Sequence, residues 1–477
     1  MASSAKSFYR PAAWIALACL VVPMFASYYF DDMFSSISYL FENPSLTALG
    51  WDAAGYGLYT SGYSVLCVFG GLVIGGILLD KWGVRVSGSA FVGMMVLGAG
   101  MVTWAVMRGG PAALKLAYAG TMLFGLGSEI AGTAVTRSIA KWFRGGPMAL
   151  AMGLQLAIAR LGTAFALVLS PRLVQEIPDH VYTLAETARP ALVGMGLMAL
   201  GLILWAVFVA LDARHDRKAA AEVALSGAFA RTEPPQKLEI SRDPGWSRSD
   251  AEESATSAAS DDEAFRFKDV LGVLGNKNFW LLGLLCVLFY SSIIAFKKFA
   301  GAILVPRFDI PAQAAGWMVS MLPFSTVIFA PLFGMMVDKA GKGTRWMILG
   351  ALLSLIAHLI LAFAPAGVPF WGYLAMVFLG FGYSLVPAAL WPSVPKIVPD
   401  KVLGTTFALI YWVQNLGLLS FKMIAGNILG GHSADAGGPV AVELMFVGLC
   451  VAAVVVAFIF RRTSARHPEL RLDAPNN

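Results

Sequence analysis

Two ionisable residues stand where a lipid bilayer would make them expensive. Glu129 falls in the apolar stretch at about 116–139, and Arg160 in the stretch at about 148–171. A charge at mid-bilayer costs at least ~2.5–3.5 kcal/mol on insertion scales, so each needs a partner or a wet cavity. Glu129 lies 12 residues before Lys141, and Arg160 lies 12 residues after Met148. At about 1.5 Å per residue both sit ~18 Å from the same face, on consecutive antiparallel helices. A carboxylate and a guanidinium at one depth can cradle a zwitterion, the first meeting an ammonium and the second a carboxylate. The same residues could instead form a structural ion pair between helices, although a buried pair is a weak source of stability.

A second set of charges lies higher. Asp31 and Asp32 are ~30 Å along the first apolar stretch, Lys297 and Lys298 are at the equivalent height of the seventh, and Lys422 is nearly as high in the eleventh. This arrangement suggests an outer gate in which acidic residues of one half pair with lysines of the other. The alternative is that these side chains mark helix ends and snorkel to the interface. Tyr383, Trp391 and the pair Gln414-Asn415 are costly to turn towards lipid, and Trp391 and Asn415 are candidates to line a path. Pro387 and Pro392 should kink the chain near Trp391. Tyr56, Tyr59 and Tyr63 share a helical face, with Tyr56 expected to be an interfacial anchor.

The elements that carry these residues are set by composition. The 477 residues are 58% apolar and only 13% charged, with a mean hydropathy of +0.70, whereas about a quarter of a soluble protein is charged. A soluble enzyme, a nucleic-acid binder and a disulfide-stapled domain are argued against. A helix needs about 20 apolar residues to cross a bilayer. Twelve stretches qualify, at about 12–40, 53–78, 87–107, 116–139, 148–171, 190–212, 277–304, 314–337, 345–364, 370–394, 404–429 and 440–461. The expected fold is therefore all-α, with two six-helix halves at 1–212 and 277–477. Between them, residues 213–276 include SRSDAEESATSAASDDE, too poor in large apolar residues to fold, and read as a disordered linker. Its end, 265–271, could form an amphipathic helix on the membrane surface.

Of the 35 Lys and Arg residues, Arg137, Arg160, Lys297, Lys298 and Lys422 lie inside spans, and Arg108, Lys115, Arg172, Arg189 and Arg307 lie in odd-numbered loops. The remainder occupy the termini and even-numbered loops, which places both termini and the linker in the cytoplasm. The net charge of +6 thus serves topology, and no nucleic-acid partner is expected. Cys19, Cys67, Cys286 and Cys450 lie inside apolar runs and read as buried hydrophobes rather than disulfides or metal ligands. No HExxH, GxSxG or Walker A string occurs, and only His358 of the histidines falls within a span. Neither an enzyme nor a cofactor is implied, and transport would be driven by a gradient.

The two halves share a string. After span 2 the chain reads Gly76-Ile-Leu-Leu-Asp80-Lys81-Trp-Gly83-Val-Arg85, and after span 8 Gly334-Met-Met-Val-Asp338-Lys339-Ala-Gly341. An internal repeat of this kind is an organisation many transporters use. The string resembles the cytoplasmic loop motif of the major facilitator superfamily, which implies its fold. Further strings are similar to a family of animal lysosomal carriers within it: Ser27-Tyr28-Tyr29-Phe30-Asp31, Gly125-Leu-Gly-Ser-Glu129, Gly153-Leu-Gln155-Leu-Ala-Ile-Ala-Arg160, Ala389-Leu-Trp391-Pro392 and Gln414-Asn415-Leu-Gly-Leu. The resemblance implies dipeptide uniport, with Glu129 and Arg160 engaging the peptide's two ends; Gln155, Tyr383, Trp391 and Asn415 are the further candidate contacts of the substrate.

The sequence departs from that family in places. Its N-terminal MASSAKSFYRP has no acidic-dileucine sorting signal, and Asn43-Pro44-Ser45 is a sequon blocked by proline. The expectation is a prokaryotic plasma-membrane relative without a glycoprotein accessory subunit. The competing readings are a proton- or exchange-coupled monocarboxylate carrier, with Arg160 as the anion site and Glu129 as proton carrier, and a transceptor that senses rather than moves its ligand.

Overall fold

The computed structural model describes residues 11–41, 45–144, 147–175, 177, 180–230, 272–398, 402–432, 437–467, 470 and 472–474. In a bilayer every backbone polar group must be satisfied within the protein, which leaves helices as the available solution for these apolar stretches. They run as α1 (Pro11–Asp32, then a 3-10 turn Ser35–Phe41), α2a (Ala53–Leu66), α2b (Leu72–Gly83), α3 (Ser89–Arg108), α4 (Ala113–Trp142), α5 (Met148–Val174) and α6 (Leu184–Ala230). The second half comprises α7a (Lys277–Lys298), α7b (Ala300–Phe308), α8 (Ala312–Ala340), α9 (Gly343–Phe363), α10 (Pro369–Leu390), α11 (Leu403–Gly431) and α12 (Gly438–Arg466).

Among the described residues, ten helical stretches are long and apolar enough to cross a membrane. One of them, Ala53–Arg108, holds α2 and α3 end to end. The remaining helix, α4, is too polar to qualify because its middle is rich in Gly, Ser and Thr and carries Glu129. Counting both gives the twelve spans.

Local chemistry sets the breaks. Gly70, at φ 91, interrupts α2, and Asp52 caps its start by accepting from the Gly55 amide at 2.6 Å. The glycines of the repeated string have a specific task. Gly83 (φ 72, ψ 174) and Gly341 (φ 61, ψ −140) end α2b and α8, in a backbone region that is essentially closed to residues with a Cβ. The proline-rich run after α10 is realised as a 3-10 segment, Trp391–Lys396. α6 does not stop at residue 212 but continues to Ala230, through the strong helix formers of Lys218-Ala-Ala-Ala-Glu-Val-Ala. Residues 231–271, with the amphipathic stretch expected at 265–271, lie outside the described residues.

The helices pack as a repeated pattern. In the first half α3 packs on α4, α1 on α5 and α6, α2 on α4, and α3 on α6; adding six to each number gives the main pairs of the second half. Between halves, α2 packs on α11 and α5 on α8. Glycine brings these pairs close. A Cβ at Gly57 would lie 2.9 Å from both the Gly426 Cα and the Lys422 carbonyl, and one at Gly316 would lie 2.2 Å from the Leu167 carbonyl. Both contacts lie at the end of the bundle opposite the chain termini, here the far end. Towards the termini end, apolar residues of α2b, α5 and α8 such as Ile74, Leu154 and Ile328 are exposed.

Candidate transport site

Glu129 and Arg160 are both half-buried at mid-height of α4 and α5. Among the described residues no salt bridge joins them; each is held by a phenol instead. Tyr63 of α2a donates its hydroxyl to Glu129 Oε1 at 3.1 Å, and lies 3.4 Å from the Ser128 hydroxyl. Arg160 donates to the Tyr383 hydroxyl of α10 at 2.6 Å. The guanidinium also lies over two aromatic faces, 5.2 Å from the Tyr383 centroid and 5.7 Å from that of Tyr28 on α1, an arrangement that stabilises a cation electrostatically. Arg160 therefore spans the two halves through Tyr383, while Glu129 stays within the first.

Beyond Tyr383 an aromatic wall continues in the second half. The Tyr290 ring of α7a meets Tyr383 edge-on at 6.3 Å. The Tyr290 hydroxyl accepts from the Trp391 indole nitrogen at 3.0 Å, and Trp391 stacks on Tyr411 of α11 at 5.1 Å. Asn415 is buried; its amide nitrogen donates to the Tyr411 carbonyl at 3.1 Å, and its Oδ1 has no partner among the described residues. Gln414 accepts from the Cys286 thiol at 3.3 Å. Gln155 is half-buried on α5, five residues before Arg160, with no hydrogen-bond partner among the described residues.

At the far end, α1 and α7 meet through charges. Asp32, 1% exposed, takes Lys297 Nζ at 2.6 Å, Lys298 Nζ at 2.9 Å and the Thr163 hydroxyl at 2.8 Å. Asp31 takes Lys298 at 2.8 Å. Lys422 does not join them: its ammonium donates to the Thr60 carbonyl at 3.0 Å and lies 5.6 Å over the Tyr63 ring, because its side chain leaves α11 on the face packed against α2. Nor is Tyr56 an interfacial anchor. It is 1% exposed, donates to the Lys298 carbonyl at 3.0 Å and stacks on Phe41 at 4.9 Å.

At the termini end the first repeated loop is tied into its own half. Asp80 pairs with Arg137 at 2.5 Å, and Arg85 reaches Asp212 and Asp216 of α6 at 3.3 and 2.6 Å. Lys141 bonds both of these aspartates at 2.8 Å. Lys81, Asp338 and Lys339 are exposed. Sequence reasoning missed Asp212, Asp216, Tyr290, Tyr411 and Thr163. The two aspartates alone carried a signal, being acidic residues at the basic end of a span.

A two-repeat helical bundle with ionisable groups at mid-depth and paired charges at one end defines a membrane transporter rather than an enzyme. The chain belongs to the Major Facilitator Superfamily, whose family model matches residues 20–421 and 299–475. It is similar to the lysosomal dipeptide transporter MFSD1 of Homo sapiens, 28% identical over 421 residues that cover 85% of this chain and 77% of the relative. The Mus musculus counterpart is 29% identical over 418 residues, covering 85% and 77%. Among solved structures, the peptide transporter POT in complex with sulfate superposes with a TM-score of 0.64 at 18% identity, covering 98% of this chain and 96% of that one. The nucleoside transporter NupG superposes with a TM-score of 0.63 at 13% identity, covering 94% and 98%. These likenesses establish the fold.

Proposed function

We propose that the chain is a facilitative carrier of dipeptides or similar small zwitterions, working by alternating access as a uniporter. One observation carries the reading: a carboxylate and a guanidinium from neighbouring helices stand at one depth, half-buried, each held by a tyrosine rather than by the other. A dipeptide ammonium can replace the phenol at Glu129, and its carboxylate can accept from the N–H edge of the Arg160 guanidinium in a charge-assisted, bidentate bond. The names of the relatives, lysosomal dipeptide transporter, support the substrate class.

In this reading Trp391, Tyr411 and Asn415 face the peptide's side chains, with Gln155 as a further polar contact. The Asp31, Asp32, Lys297 and Lys298 cluster is the outer gate, and the Asp80, Lys81, Arg85 and Asp338, Lys339 loops face the cytoplasm. The basic residues at the termini end support cytoplasmic termini, and the reading takes the plasma membrane as the site of residence.

The test is thermal stabilisation of the purified protein by dipeptides, tripeptides, free amino acids and monocarboxylates, followed by flux in proteoliposomes. Dipeptides should stabilise the wild type, and neither Glu129→Gln nor Arg160→Ala should respond. Stabilisation by monocarboxylates, lost only in Arg160→Ala, would replace the zwitterion reading with an anion carrier.

A further inference from the structure

A uniporter completes half of every cycle without substrate. With a dipeptide bound, the ammonium neutralises Glu129; on the return step that carboxylate is occluded from water in the low-dielectric middle of the bundle and needs some other compensation. Arg160 is poorly placed to supply it, since its guanidinium is committed to the Tyr383 hydroxyl and to the rings of Tyr28 and Tyr383.

A second cation stands on the other side of Tyr63. Lys422 Nζ lies over the Tyr63 ring, and the hydroxyl of that same ring donates to Glu129. Lys422 is 2% exposed, yet its ammonium, which carries three donors, bonds only the Thr60 carbonyl and forms no salt bridge among the described residues. The charges acting on it include Asp31, Asp32, Lys297 and Lys298, and those four satisfy one another two against two. Among the described residues the cation left over is Lys422 and the carboxylate without a salt bridge beside it is Glu129, the two being joined through the ring and the hydroxyl of Tyr63.

We propose that Lys422 is the internal counter-cation of Glu129 on the substrate-free return, taking the place of the dipeptide ammonium. The inference rests on the zwitterion reading of Glu129 and extends it to the mode of transport. The Thr60 bond exists because α2 and α11 are pressed together at Gly57. When these helices part, that bond is given up, and the flexible four-carbon stem lets the ammonium swing past the Tyr63 edge. An incoming dipeptide ammonium then displaces it, so substrate and Lys422 alternate at one carboxylate.

The experiment compares two transport modes in proteoliposomes for wild type, Lys422→Gln and Lys422→Arg. Exchange of labelled against unlabelled dipeptide uses only loaded steps, whereas net uptake into empty vesicles requires the return. Lys422→Gln should lose net uptake by at least about tenfold while keeping exchange within about twofold of wild type, and Lys422→Arg should restore net uptake, as expected for a residue acting in one step of the cycle. Retained exchange also shows that the variant is folded. Equal loss in both modes would assign Lys422 to the gate or the fold and overturn the proposal, as would unchanged net uptake in Lys422→Gln. A wild-type protein that exchanges no dipeptide would overturn the substrate reading, and the proposal with it.

Discussion

Asp32→Asn is the sharpest probe of how the far end is held shut. In the structure two carboxylates face two lysines, all but Asp31 nearly excluded from solvent. Removing the Asp32 charge leaves Lys298 its bond to Asp31 at 2.8 Å. Lys297, 6% exposed, loses its carboxylate at 2.6 Å. Leaving one buried charge uncompensated costs about 3–5 kcal/mol. That penalty falls on the conformation closed at this end, because opening hydrates the lysine. At about 1.4 kcal/mol per decade, the closed-to-open ratio should fall by two to three and a half orders of magnitude. Spin labels at Ala48→Cys and Gln313→Cys, exposed positions on opposite halves at the far end, report the opening by pulsed electron resonance. The four native cysteines are buried and leave the labels specific. Asp32→Asn should move the distance distribution to longer values, and Lys297→Met added to it should move it back. An unchanged distribution, or additive effects of the two substitutions, would refute the assignment of closure to this cluster.

Tyr383→Phe removes the hydroxyl that bonds Arg160 and keeps the ring beneath the guanidinium. Loss of a hydrogen bond to a charged group, about 1.5–3 kcal/mol, should appear as a roughly tenfold or greater change in dipeptide affinity by titration calorimetry, whereas Tyr383→Leu should cost more. Gly57→Val places side-chain atoms where α2 already touches Gly426 and the Lys422 carbonyl. Overpacking of about 1–3 kcal/mol should favour opening of the far end, read with the same labels, without altering affinity for the substrate. Asp212→Asn breaks bonds to Lys141, Arg85 and the Trp142 indole and should lower stability by about 1–3 kcal/mol in thermal denaturation. Asp216→Asn, at a carboxylate 36% exposed, should cost less than about 1 kcal/mol.

What the sequence determined by itself was whatever depends on local composition. Twelve spans follow from runs of apolar residues read by length, α4 among them, although its glycines, hydroxyls and Glu129 keep it below the hydropathy of the other spans. Glu129 and Arg160 stood out because a charge among apolar residues is conspicuous, and their common depth follows from helical rise alone. The glycines of the repeated string were visible as a pattern, and the positive φ at Gly83 and Gly341 supplies its reason. Rotation of each helix about its axis is a different matter. Which of Tyr56, Tyr59 and Tyr63 meets Glu129, and whether Lys422 faces the acidic pair or the Thr60 carbonyl, depends on how helices far apart in the chain pack. Helical periodicity shows which residues share a face but not which neighbour that face meets. Tertiary packing alone therefore decided that Glu129 and Arg160 are held by tyrosines from two different halves, and that of the lysines at the far end two pair with carboxylates while Lys422, among the described residues, bonds the Thr60 carbonyl.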